Sequence, residues 1–147
     1  MANHIGWKRF DHFSLAVPDV NFAVNFYERL FGLERSHFFL SSEEGYRGAI
    51  LDMPDGHGQI ELLEQFGNDS FLSDFINNRG PGVHHITIEV EDIEAAVKYL
   101  REEMGIEAYR GIRSDSEWKQ TFIHPRDAGG VLYQLYEWLP GHGPKAT

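Results

Sequence analysis

Two histidines in this 147-residue chain, His12 and His85, are each followed by an oxygen-donor side chain at one common distance. Glu61 lies 49 residues after His12, and Gln134 lies 49 residues after His85. Imidazole nitrogen, carboxylate oxygen and amide oxygen together suit a divalent ion of the Zn, Ni, Co, Mn or Fe type. Four protein donors leave up to two positions of an octahedral ion open. Open positions let a substrate chelate, which marks a catalytic rather than a structural ion. The chain has no cysteine, so a thiolate zinc site, a cysteine nucleophile and a disulfide framework are excluded.

The elements that must position these donors come from an internal repeat. HFSLAVPDVNFAVNFYERLFGLE (His12–Glu34) lies over HITIEVEDIEAAVKYLREEMGIE (His85–Glu107) without a gap, at an offset of 73 residues. QIELLEQF (Gln59–Phe66) lies over LYQLYEWL (Leu132–Leu139) at the same offset. Each half reads as a strand, a helix and three further strands. Phe13, Leu15 and Val17 alternate with polar or small residues, as in a half-buried strand. Val20, Ala23, Val24, Tyr27 and Leu30 follow helical spacing, between Asp19 as N-cap and Gly32 as stop. Ile93, Ala96, Val97 and Leu100 repeat this between Asp92 and Gly105. Later strands are expected at Ala49–Met53, Gln59–Glu64, Thr121–His124 and Val131–Tyr136, with breaks at PDGHG and PRDAGG.

Strand parity then sorts the side chains. His12, Ser14 and Ala16 share the face opposite Phe13, Leu15 and Val17; His85, Thr87 and Glu89 share the face opposite Ile86, Ile88 and Val90. The helix must cover the apolar face. Glu61 and Gln134 each stand between apolar residues that face the other way. Pseudo-twofold symmetry would therefore gather His12, Glu61, His85 and Gln134 around a shared cavity. The neighbouring His84 has the opposite parity. Glu64 and Glu137 also repeat, with opposite parity, and are expected at the surface or rim. His4, His37, His57 and His142 are read as structural or solvated, His124 as capping a strand end, and the aromatic-rich strands as core.

The expected layout is one domain: a first module over about 10–66, a connecting helix and linker over 67–82, a second module over about 83–139, and a frayed tail over 140–147. Thirteen Lys and Arg against 23 Asp and Glu give a net charge of −10. That balance argues against a nucleic-acid binder, which needs clustered cations. No apolar stretch approaches a membrane span, and the N-terminal residues lack the apolar core of a signal peptide. A cytoplasmic protein is expected.

The segments around Ala16–Asp19, VHHITIEVEDIEAAV and FIHPRDAGGVLYQLYEW resemble the vicinal oxygen chelate superfamily, over roughly Phe10 to Trp138. The resemblance is strongest toward methylmalonyl-CoA epimerases, with glyoxalase I nearby. It implies an α+β fold in which two tandem βαβββ modules form a curved, incomplete barrel around one metal. It also implies His12, Glu61, His85 and Gln134 as the ligands, the four that parity selects. Epimerases usually carry Gln at the position of Glu61 and Glu at that of Gln134, so the two are exchanged here. A catalytic glutamate assigned to the third strand in some epimerases would fall on Gly48. Glyoxalase I usually has carboxylates at both exchanged positions.

The shared chemistry is proton abstraction next to a carbonyl, with a divalent ion stabilising the developing charge. Glu61 is the candidate base, since Gln134 has no titratable group. Glu89, Glu43 and Glu44 are further candidates for a second proton-transfer group. A CoA or glutathione thioester would need cations, for which Lys8, Arg9, Arg47, Lys119 and Arg126 are available. A homodimer is expected, with no nucleic-acid or membrane partner. Two other functions fit the superfamily. One is a metal-free small-molecule binder of the bleomycin-resistance type; the other is a non-haem iron dioxygenase using His12, His85 and a carboxylate.

Overall fold

A computed structural model describes residues 3–67 and 71–144. Along the chain run β1 (Trp7–Ala16), α1 (Val20–Phe31), β2 (Glu34–Ser41), β3 (Tyr46–Asp52), β4 (Gln59–Gln65), α2 (Phe71–Arg79), β5 (Gly82–Val90), α3 (Ile93–Met104), β6 (Tyr109–Ser114), β7 (Trp118–Ile123) and β8 (Tyr133–Trp138). The fold is α+β, with βαβββ occurring twice and α2 between the copies.

Local chemistry sets the helix ends. The Asp19 carboxylate accepts the Phe22 N–H at 3.0 Å, and α1 stops where Gly32 turns left-handed at φ 68°. The Asp92 carboxylate accepts the Ala95 N–H at 2.9 Å, and α3 stops at Gly105, with φ 67°. Each cap satisfies an otherwise orphaned donor, and an N-cap of this kind contributes about 1 kcal/mol.

The chain divides into two units: His12–His84, and the chain up to Asp11 together with that from His85 onward. In the first unit the strand order is β2-β3-β4-β1. β1 pairs parallel with β4, and β3 runs antiparallel to both its neighbours. Val20, Ala23 and Val24 of α1 pack on Leu15, Val17, Leu51, Ile60 and Leu62. On the other face, Ala16 and Leu63 pack with Leu72 of α2, with Phe39, Tyr46, Phe75 and Ile76 around them.

In the second unit the strand order is β5-β8-β7-β6, again with one parallel pair, β5 with β8. Ile93, Ala96 and Leu100 of α3 pack on Ile88, Val90 and Leu135. Trp118, Tyr136 and Trp138 do not join this core, contrary to the sequence expectation for the aromatic strands. The reason is parity: Leu135 takes the helix side of β8, so Gln134, Tyr136 and Trp138 take the other. β7 starts at Trp118, three residues before the expected Thr121. PRDAGG contains a single 3-10 turn, Pro125–Asp127, whose N-cap His124 accepts the Arg126 N–H. Of the tail, residues 145–147 lie outside the described residues, while Gly143 packs against the Trp138 indole. Among the described residues no helix is long and apolar enough to cross a membrane.

Candidate active site

In the first unit the parallel β1–β4 pairing places Ser14 beside Glu61 and His12 beside Gln59. Ser14 Oγ donates to Glu61 Oε1 at 2.5 Å, and His12 Nε2 stands 3.8 Å from the same oxygen. His12 and Ser14 are buried, and the Glu61 side chain keeps 20 % of its surface exposed. An imidazole nitrogen and a carboxylate oxygen thus stand within reach of one small ion or one proton.

The second unit repeats the arrangement with neutral chemistry. The parallel β5–β8 pairing places Thr87 beside Gln134. Thr87 Oγ1 donates to Gln134 Oε1 at 2.7 Å, and Gln134 Nε2 donates to Gln120 Oε1. His85, Thr87, Gln120 and Gln134 are all buried. The His85 ring meets Phe122 edge-on, with centroids 6.5 Å apart.

The hydroxyls of Ser14 and Thr87 are 73 residues apart, like the donors they touch. Sequence reasoning placed both on the right face and gave them no role. The signal was present: each stands two residues after its histidine and opposite the oxygen donor in a parallel ladder. Gln120 carried no comparable signal, because it lies outside the segments that define the repeat.

Gly48 faces crowded ground. A Cβ there would meet the Leu62 carbonyl oxygen and come within 2.5 Å of Cζ of Phe39. The position at which the resemblance puts a third-strand glutamate therefore accommodates no side chain. Nearby, burial first, then the charges of Glu44 and Glu61, hold the Tyr46 phenol well above its usual pKa. That phenol is a neutral hydrogen-bonding group throughout the physiological range.

Several of the other candidates are engaged in ion pairs or ring contacts, and the Glu44 side chain hydrogen-bonds Tyr46. Glu89 is buried with Arg9 Nε and Lys8 Nζ each 3.6 Å from its carboxylate. Arg9 also pairs with Asp11. Arg47 pairs with Glu64, Lys119 bonds Glu94 at 2.9 Å, and Arg126 stands 3.6 Å from Asp127. All five cations considered for a thioester thus carry an acidic neighbour. Glu137 accepts the Ile93 N–H at the start of α3, so it serves the helix face that its parity indicates. His84 packs against Phe75 of α2.

This chain belongs to the glyoxalase/bleomycin resistance protein/dioxygenase superfamily, which its residues 11–122 match. Within that superfamily it is similar to methylmalonyl-CoA epimerases. It is 34% identical over 129 residues to the mitochondrial enzyme of Homo sapiens, a match covering 86% of this chain and 72% of that one. The epimerase structure from Mycobacterium tuberculosis superposes with a TM-score of 0.81 at 32% identity, covering 95% of this chain and 93% of the other. A variant of the Streptomyces coelicolor epimerase, solved in complex with 2-nitronate-propionyl-CoA, superposes with a TM-score of 0.76 at 33% identity. That match covers 90% of this chain and 98% of the other. The fold is that of the vicinal oxygen chelate proteins.

Proposed function

We propose that this chain is a divalent-metal-dependent isomerase of the methylmalonyl-CoA epimerase kind, removing and returning the proton α to the carbonyl of a CoA thioester. One observation carries the proposal. Two strand pairs in the same register each present a buried histidine and a hydroxyl-anchored oxygen donor, in a chain similar to such epimerases. The CoA analogue held by the Streptomyces coelicolor relative supports the substrate class.

His12, Glu61, His85 and Gln134 would hold the ion. Two neutral imidazoles, one carboxylate and one amide oxygen form a borderline-hard set, in keeping with Zn, Ni, Co, Mn or Fe. Such an ion, when bound, polarises the substrate carbonyl and makes the adjacent C–H more acidic. Glu61 takes the proton, and Ser14 fixes the carboxylate so that it meets the substrate in one orientation. Gln134 binds and orients without exchanging protons. Thr87 and Gln120 hold its two amide atoms in a single sense.

Gln134 is neutral, Gly48 has no side chain, and Glu89 is tied to Arg9 and Lys8. The proton for the opposite face of the carbanion is then left to solvent or to the Glu43–Glu44 turn, where the Glu44 side chain hydrogen-bonds Tyr46. Each epimerisation should wash solvent hydrogen into the α-position. The test is deuterium incorporation into 2-methylmalonyl-CoA and, in parallel, a hemithioacetal, with Co, Ni, Mn or Zn added. Metal-dependent incorporation into the thioester is expected. No bound metal and no incorporation would overturn the proposal; incorporation into the hemithioacetal alone would move the activity to the glyoxalase I type.

A further inference from the structure

Inverting a carbon needs a proton delivered to the face opposite the one from which Glu61 takes it. The first unit carries a second polar group on the Glu61 side of its sheet. On β3, Ile50 stands opposite Glu61, and Gly48 and Tyr46 lie at alternate residues from it, so all three share that side. The Phe39 ring lies over Gly48, and the half-buried Tyr46 ring meets Phe39 edge-on at 6.0 Å. Ala16 and Leu63 pack beside it. Among the described residues of β1, β3 and β4, the hydroxyls on this side are those of Ser14 and Tyr46, and Ser14 is bonded to Glu61 itself.

The Tyr46 phenol donates to the Glu44 carboxylate and accepts from Ser41, its partner across β2. Glu44 lies exposed in the turn between β2 and β3, where its carboxyl exchanges protons with water. The charge of Glu61 reaches the phenol as well. Tyr46 therefore stands between a carboxyl open to solvent and the carboxylate that takes the α-proton. Tyr46 and Ile50 are four residues apart, about 13 Å along the strand. The Tyr46 ring spans part of that distance from one end, and Glu61 with an acyl group spans it from the other. Burial first, then the Glu44 charge, keeps the phenol neutral, so it can pass a proton on without carrying a charge.

We infer that Glu44 and Tyr46 form a proton relay that serves the face of the substrate carbanion opposite Glu61. This rests on the isomerase reading for the reaction itself. Glu61 takes the α-proton, and the C–H electron pair stays on carbon. Tyr46 gives its O–H proton to that pair from the other side. In the same passage its oxygen takes the proton of the protonated Glu44 carboxyl. Tyr46 ends as a phenol again and Glu44 as a carboxylate, which water reprotonates, while Glu61 returns its proton to water. Turnover in the other direction breaks and makes the same bonds in reverse.

The experiment follows each epimer of 2-methylmalonyl-CoA separately in deuterium oxide with the metal-loaded protein, reading inversion and α-exchange together. Tyr46→Phe keeps the ring and removes the relay. One epimer, with its α-hydrogen toward Glu61, should still exchange with retention, within about threefold of wild type, while its inversion falls by about a hundredfold or more. The other epimer should lose exchange and inversion alike. Glu44→Gln, at an exposed position, should lower inversion at least about tenfold with the same asymmetry. Circular dichroism melts confirm that both variants fold, and calorimetric titration should find their metal affinity equal to that of wild type. Inversion that survives both substitutions, an equal loss from both epimers, or a tenfold loss of metal affinity would overturn the relay. Those results leave the isomerase reading standing as long as the wild type exchanges. A wild type that exchanges neither epimer overturns that reading, and the relay with it.

Discussion

Glu61→Gln separates the two jobs assigned to one side chain. The substitution keeps the shape and an oxygen donor, and the Ser14 hydroxyl can donate to an amide oxygen as it does to the carboxylate. The second unit already shows this chemistry working, with Thr87 donating to the Gln134 amide oxygen at 2.7 Å. What the substitution removes is the proton acceptor. A positioned general base contributes about 10²–10⁴ in rate, which converts to about 3–5 kcal/mol of barrier. The loss of one negative charge 3.8 Å from His12 also weakens ion binding, so the assay must run at saturating metal. Under those conditions metal analysis should still find one ion per chain, the structure should be unchanged, and α-deuterium incorporation should fall by about a thousandfold. Glu61→Ala should lose both the ion and the rate. A Glu61→Gln protein that exchanges within threefold of wild type at full metal occupancy would refute Glu61 as the base.

Two further substitutions test the surroundings of the site. Gly48→Ala should lower stability by about 1–3 kcal/mol, because its Cβ meets the Leu62 carbonyl and the Phe39 ring at once. Scanning calorimetry should show a melting temperature lowered by roughly 5 °C, and an unchanged melt would mean that the strand yields at that point. Gln120→Leu should weaken metal binding about tenfold by freeing the Gln134 amide to turn over, while Gln120→Glu should restore it. Equal metal affinity in wild type, Leu and Glu proteins would show that Gln120 does not orient Gln134.

The parts of the fold that were legible in the sequence are those with strong local chemistry. Asp19, Gly32, Asp92 and Gly105 each act within one helical turn, so their spacing is visible without any tertiary context. The alternation of β1 and β5 is equally plain, because one face of each must meet a helix. β2 and β6 were expected only as members of the pattern, without boundaries. β6 is exposed along almost its whole length, and Arg110 and Gly111 both adopt positive φ where its register shifts. Such a strand has neither a buried face nor regular alternation to read. The aromatic residues of β7 and β8 misled for a related reason. Hydrophobicity says that a ring prefers burial, but parity decides which face it occupies, and Leu135 already holds the core side. Gln120 acquires its contact with Gln134 only when β7 and β8 come into register.

The parallel seams that carry the donors also bear on how the chain folds. Ser14 and Glu61 are 47 residues apart, as are Thr87 and Gln134, whereas the β3–β4 hairpin closes between Asp52 and Gln59. Loop-closure entropy makes the long closures costlier by on the order of 1–2 kcal/mol, so it favours the hairpins first and the seams after them. A chain that has formed its helices and hairpins is therefore still without either donor pair. The functional side chains take their places in the step that completes each unit, so a unit that is still incomplete offers no donor pair to an ion.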